Sequence, residues 1–511
     1  MSGERNSRDF WSSKYGLILA MAGNAIGLGN FLRFPVQAAE NGGGAFLLPY
    51  IICFICMGIP LMWIEWGIGR HGGSIGKGTT FGISNKFGAG KTLQIASLLG
   101  IWIPLIISIY YIYIESWTLG YSLKSLFGDL QSNLSDTQDK MIFFKDVFSK
   151  YIGNFNHKDG ILNPSIFAYV CFLSTLLINY GILYRGISRG IEKFVKIAMP
   201  ALFFMSLFMV IYVLTIKTSV STSIKGLDFL WTPDFSSLLN PRVWIAAAGQ
   251  VFFTLSLGFG AIVTYASFIK QDQDIALSGL TSASLNELIE VVFGGSIVIP
   301  AAVAFLSISG AILVAQSGAF SIGFIAMPAV FDGLPFGTII GFIWFFLLFI
   351  AGLTSSVGIL LPAITFVREE FLLSQKNSTL AVILLIFLFA HSVIFLPEIL
   401  EEFDFWAGTI LLVVLALVEI AIYIIYISPD SPVKEINRSS LIQIPNFYNK
   451  LFRYFLPFFL IILILAWVFQ DINSDNSMIF KDSFWSMIAR LLLVSLFLAL
   501  FGLVFRKVFK K

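Results

Sequence analysis

Apolar stretches of about 20 residues, each long enough to cross a bilayer core of about 30 Å, recur from one end of this 511-residue chain to the other. Nothing else in the sequence limits the fold as strongly. No water inside lipid satisfies exposed N–H and C=O groups, so each stretch must be a helix that bonds its own backbone. By hydropathy and turn signals the runs fall at roughly 14–38, 44–70, 93–127, 165–184, 191–216, 242–268, 277–306, 337–368, 378–396, 403–427, 449–470 and 484–506. The expectation is an all-α membrane protein with twelve transmembrane helices in one polytopic domain, 1–511. Composition agrees: 12% of residues are charged, about half the share usual in soluble chains.

An even number of spans puts both termini on one side, and lysine and arginine choose the side. With the termini in the cytoplasm, Arg5, Arg8, Lys14, Arg70, Lys77, Lys86, Lys91, Arg185, Arg189, Lys193, Arg368, Lys376 and the tail from Arg506 to Lys511 all fall inside. The acidic segment Glu398–Asp404 falls outside. The expected location is therefore the cell membrane, multi-pass, with the lipid bilayer as partner and no nucleic acid. The polar amino terminus has no small-residue cleavage pattern after its first apolar run, so no removable signal peptide is expected. Cys53, Cys56 and Cys171 lie within apolar runs, which argues against a disulfide framework, and His71, His157 and His391 have no metal-ligand spacing.

Two connections are long. The one at about 128–164 is polar and contains a glycosylation-type triplet at Asn133; the other, about 307–336, is rich in Gly, Ala and Ser. Long connections of this kind tend to be lids or binding elements.

Glycine pairs interrupt the first and sixth spans. One reads Gly23-Asn24-Ala25-Ile26-Gly27-Leu28-Gly29-Asn30, the other Thr254-Leu255-Ser256-Leu257-Gly258-Phe259-Gly260. A lone glycine in a span usually serves close helix packing. Here two breaks fall at matching places in what look like equivalent halves of the chain, which is the sequence pointer to a transporter site between inverted repeats. An unwound segment frees carbonyls for a cation, and the half-helix that follows aims N–H groups at an anion. A zwitterionic amino acid needs both. Polar residues in other spans suit the same centre: Tyr110 and Tyr111, Asn286, Glu287 and Glu290, and Thr354-Ser355-Ser356. Acidic groups inside a membrane are functional candidates by default.

At these residues the sequence resembles the neurotransmitter:sodium symporter family, its bacterial leucine-transporting branch in particular. The resemblance covers nearly the whole chain and is strongest in Gly23–Asn41, Gln250–Ser267 and Ala351–Ser356. It implies a LeuT-type five-plus-five inverted repeat, about 14–216 and 242–427, with broken helices 1 and 6 and two additional helices at about 449–506. It also implies two Na+ ions. The first would use Ala25, Asn30, Thr254 and Asn286, completed by the substrate carboxylate. The second would use Gly23, Ile26, Ala351, Thr354 and Ser355. For the substrate, N–H groups of Leu28 and Gly29 with the Tyr111 hydroxyl would hold the carboxylate. Carbonyls of Ala25 and Phe253, with Thr254 and Ser256 nearby, would hold the amine, and Asn24 would also belong to the substrate site. Ile107, Tyr111, Phe253, Phe259, Ser355 and Ile359 would wall the side chain, with Tyr111 and Phe253 as the outer lid. Arg33 and Asp404 would form the outer gate, bridged by water when open, and Arg8 with Glu369 the inner one. The run Gly190 to Pro200 matches a family motif that lets the fifth helix unwind.

Some positions depart from that branch. Ile107 replaces a valine, a larger wall residue that should favour a smaller substrate, by about 1–3 kcal/mol of discrimination. Glu369 replaces an aspartate, and Phe268 a tyrosine beside the inner gate. Gly27 lies where monoamine transporters have an aspartate, which favours a substrate bringing its own carboxylate. Glu290 lies where chloride-dependent relatives have a serine, so the resemblance implies chloride independence. The expected activity is sodium-coupled symport of a small apolar amino acid (alanine, valine, leucine or methionine type), in a protein that is not an enzyme and that a homodimer would suit. A receptor that binds without transporting is the alternative. A channel would line a continuous path with carbonyl or charged rings, and an enzyme would show a metal motif or a nucleophile–base pair; polarity concentrated at one midplane fits neither.

Overall fold

The computed structural model describes residues 9–132, 134–153, 161–474 and 477–509. Arg8 and Asn133, singled out above, lie outside the described residues. The described chain is a bundle of helices with no named strand. Among the described residues, ten helices are long and apolar enough to cross a membrane, from Gly44–Ser74 to Phe484–Phe509. The first predicted span is a bent pair, Lys14–Ala25 and Leu28–Glu40, which turns by 48° and counts as an eleventh. The sixth is divided into two shorter pieces, Pro241–Thr254 and Ala261–Ala266.

The long connections are more helical than expected. Thr137–Ile152 forms because the Asp136 carboxylate accepts the N–H groups of Gln138 and Asp139, and Gly153 ends it at φ 105°. In the second connection the helix continues to Gln316 beyond a kink at Ser307 (φ 64°, ψ 173°), and a helical stretch follows at Ala319–Asp332. Alanine is the best helix former, so a Gly, Ala and Ser composition lowers hydropathy without forbidding a helix. The two connections are joined by a buried ion pair, Lys140–Asp332 at 3.0 Å, and Asp332 also accepts the Ser132 N–H at 3.0 Å.

The long helices Lys91–Leu126 and Gly337–Phe371 are largely buried and flank the broken pairs. Around the breaks the interior turns polar: Asn24, Asn30, Thr254, Asn286, Glu290 and Thr354 are all buried. Such groups are costly in lipid and stay only where partners satisfy them.

Candidate substrate and sodium site

The first span breaks over Ile26 and Gly27, both in extended backbone. The Asn30 side chain bends back and its Oδ1 accepts the Gly27 N–H at 2.8 Å, replacing a helical bond that the break removed. Leu28 begins the next half-helix, and its N–H donates to the Tyr111 hydroxyl at 3.2 Å. A Cβ on Gly27 would fall 2.7 Å from that hydroxyl and 3.2 Å from Ser355 Oγ, and one on Gly29 would fall 2.5 Å from the Phe253 ring. The half-helix start is therefore enclosed by Tyr111, Ser355 and Phe253.

The sixth span breaks over residues 255–260, where Ser256, Gly258 and Gly260 all have positive φ. At Gly258 and Gly260 the backbone also presses on neighbours. Added Cβ atoms would meet the carbonyl of Leu412 at 2.2 Å and of Gly100 at 2.4 Å. Ser256 Oγ donates to the Asn24 carbonyl at 3.2 Å, which ties the two breaks together.

Asn30, Thr254 and Asn286 lie within hydrogen-bond reach of one another, and Glu290 joins them. Asn30 Nδ2 donates to Asn286 Oδ1 at 2.9 Å and Glu290 Oε2 at 3.0 Å, and Asn286 Nδ2 donates to the Thr254 hydroxyl at 2.9 Å. The Thr254 hydroxyl donates to Glu290. The cluster gathers Thr254 Oγ1, Asn286 Oδ1 and the Glu290 carboxylate, hard oxygen atoms of the kind alkali cations prefer by analogy with other hard cations, while Asn30 turns its Nδ2 toward them and keeps its Oδ1 on the Gly27 N–H. Behind Glu290 lie two partners that sequence reasoning did not single out. Gln250 donates to its Oε1 at 2.9 Å and Tyr50 at 3.1 Å, while Tyr50 also reaches Glu287 at 2.8 Å. Glu290 sits on a π-helical segment, Leu288–Gly294, a local widening found often at functional sites. A tyrosine and an amide within apolar runs were the available signal.

The second set also meets. Thr354 Oγ1 lies 3.0 Å from the Ala351 carbonyl and 3.4 Å from that of Ile26, and a Cβ on Gly23 would fall 3.2 Å from Thr354 Cβ. Next to it a buried chain runs from Ser356 through Asn179, at 2.9 Å, to Glu115. Ile107, Phe259 and Ile359 are buried, and the Phe253 and Phe259 rings meet edge to face at 6.4 Å.

At the gates, aromatic groups stand beside the charges. Arg33 lies over the Phe253 ring, 4.3 Å from its centre, and Asp404 accepts the Tyr110 hydroxyl at 2.7 Å. No direct Arg33–Asp404 ion pair joins them among the described residues. Glu369 lies 3.9 Å from Lys77. Arg368 covers the Phe268 ring at 5.7 Å, so the phenylalanine at this position meets a cation with its face. The segment before the first span is fastened here as well: Trp11 Nε1 donates to the Tyr265 carbonyl at 3.1 Å, and Ser12 N–H to Glu192 at 2.8 Å.

An uncharacterised sodium-dependent transporter of Methanocaldococcus jannaschii is 31% identical over 91% of this chain and 91% of its own length. A sodium-dependent neutral amino acid transporter, B(0)AT2 of Rattus norvegicus, is 32% identical over 55% of this chain and 39% of its own. Among solved structures, MhsT in complex with L-phenylalanine superposes with a TM-score of 0.75 at 28% identity, over 90% of this chain and 100% of that one. The model of the sodium:neurotransmitter symporter family matches residues 8–510. The chain thus belongs to the sodium:neurotransmitter symporter family, a family of sodium-coupled membrane transporters rather than enzymes.

Proposed function

We propose that this chain carries one small apolar amino acid across the cell membrane together with sodium, by alternating access and without chloride. One observation carries the reading: both helix breaks open onto a single buried cluster, where Asn30, Thr254 and Asn286 meet and Ser256 bonds the Asn24 carbonyl. In this reading two sodium ions travel with the substrate. Ala25, Asn30, Thr254, Asn286 and the substrate carboxylate hold the first. Gly23, Ile26, Ala351, Thr354 and Ser355 hold the second. The carboxylate rests on the Leu28 and Gly29 N–H groups and Tyr111, and a sodium bound beside it makes each site stronger when the other is filled.

Gly27 supports a substrate with its own carboxylate, since any side chain there would occupy the space beside Tyr111 and Ser355. Buried Glu290, in contact with Gln250, Tyr50 and Thr254, supplies the negative charge that would otherwise come from an anion. Arg33 and Asp404 close one face through Phe253 and Tyr110. The segment around Trp11, with Glu369, closes the other. The proposed topology has twelve spans with both termini in the cytoplasm, counting the two sixth-span pieces as one crossing. A homodimer is the proposed assembly.

Uptake of labelled alanine, valine, leucine, methionine and phenylalanine into proteoliposomes tests this. Phenylalanine is included because MhsT was solved with it. Uptake should require an inward sodium gradient, ignore chloride and favour the smaller side chains. Binding without uptake in every gradient would replace the transporter with the receptor reading.

A further inference from the structure

One face of the eleventh span, Tyr448–Ile472, has no role in the account above. Its inner face is plain packing: Phe452, Leu456, Leu460 and Leu463 recur every three or four residues and are buried, and the Tyr448 ring meets Trp63 of the second span edge to face at 5.7 Å. On the outer face Phe447, Leu451, Tyr454, Phe458 and Ile461 repeat with the same spacing and line a groove of about 900 Å³. Phe447, Tyr454 and Phe458 are 61%, 69% and 66% exposed. An apolar face with aromatic residues near its end suits any lipid, so by itself it selects nothing.

Two cations change that. Lys450 and Arg453 line the same groove, and residues three apart lie side by side on a helix. Other basic residues in the cytoplasmic set are paired: Arg70 with Glu435 at 2.9 Å, and Lys77 and Lys507 with Glu370. Among the described residues no carboxylate forms an ion pair with Lys450 or Arg453. The Arg453 guanidinium gives one N–H to the Pro429 carbonyl, while its Nε is buried and has no partner. A guanidinium fork with donors left over, beside an ammonium group, is the arrangement that receives a phosphate.

We propose that this groove is a binding site for an anionic phospholipid, its phosphate held between Lys450 and Arg453 and an acyl chain lying along Leu451, Tyr454, Phe458 and Ile461. A zwitterionic phospholipid offers the same chains, but its own ammonium group cancels the headgroup charge. Only an anionic headgroup therefore answers two unpaired cations. On the proposed topology this end of the span faces the cytoplasm, the leaflet in which anionic headgroups attract basic residues next to a span. The site lies outside the substrate pocket and asks nothing of transport.

The test is photo-crosslinking of the full-length protein in detergent micelles with phosphatidylglycerol carrying a diazirine in one acyl chain, against phosphatidylcholine with the same chains. Labelling of the peptide that holds 447–461 is read by mass spectrometry. A cation near an anionic lipid surface contributes about fivefold, so phosphatidylglycerol should label that peptide at least about fivefold more than phosphatidylcholine does. Lys450→Gln should cut the excess by about fivefold, and the Lys450→Gln/Arg453→Gln double variant should abolish it. Soluble glycerol phosphate should not compete, because it lacks the chain that fills the groove. Equal labelling of wild type by the two lipids would overturn the proposal, as would an excess that survives in the double variant. Competition by glycerol phosphate would make this a site for a free phosphate instead and would also overturn it. Should the double variant fail to fold, Lys450→Gln decides, since its exposed side chain has no protein partner to lose. Loss of the transporter reading would leave the labelling pattern unchanged.

Discussion

The two broken spans look equivalent in sequence but are built differently. The first yields only Ile26 and Gly27, in extended backbone any residue could adopt, and repairs itself locally: Asn30 takes the Gly27 N–H. The sixth unwinds over residues 255–260, needs positive φ at Ser256, Gly258 and Gly260, and borrows its support from afar, through Glu65 to the Gly258 N–H. The first break is therefore a compact cap whose half-helix N-terminus faces the pocket. The sixth is a longer turn whose shape belongs to the surrounding helices. Substitutions should separate the two by failing in different ways.

The largest effect is expected at Gly258. Alanine there meets left-handed backbone, costing about 1–2 kcal/mol, and a carbonyl 2.2 Å from its Cβ. Gly258→Ala should lower thermal stability and yield, seen by size-exclusion chromatography in detergent. Gly27→Ala has no backbone strain, so it should fold normally and instead weaken amino-acid binding tenfold or more. If Gly27→Ala unfolds the protein and Gly258→Ala does not, the contrast between the breaks is reversed.

Asn30→Ala comes next. It removes a capping bond worth about 0.5–2 kcal/mol and a proposed sodium ligand together. Its sodium requirement for substrate binding should shift to higher concentration by at least tenfold, with a modest loss of stability. Thr254→Val, on the sixth span, should shift the sodium requirement in the same direction. Equal sodium curves in wild type and both variants would remove Asn30 and Thr254 from the ion site.

Glu290→Ser should leave folding intact and make uptake depend on chloride, measured by replacing chloride with gluconate. The smallest expected change is at Ile107. Ile107→Val enlarges the pocket by a methylene and should move the leucine-to-alanine preference by about 1–3 kcal/mol, read from competition binding.

Much of this was legible in the sequence because both breaks carry glycine and polar residues in otherwise apolar runs. Asn30, Thr254 and Asn286, which the resemblance assigns to one ion site, hydrogen-bond to one another. What the sequence concealed was long-range. Nothing in the apolar run around Glu65 names the Gly258 N–H as its partner, because which face of one helix meets which face of another is decided by packing. The helical character of 307–332 was hidden because small residues resemble a loop in hydropathy, and the kink at Ser307 shifts its direction. At the gates, the sequence offers the charges but not the aromatic groups beside them, Phe253 under Arg33 and the Tyr110 hydroxyl on Asp404.

The central claim is that substrate and first sodium share one site between the breaks. Equilibrium binding measured both ways tests it most directly: labelled amino-acid affinity against sodium concentration, and sodium affinity against amino-acid concentration. The account predicts that each raises the other's affinity by the same factor, and that Asn286→Ala abolishes both enhancements. Amino-acid binding that is unchanged between sodium and potassium would contradict it.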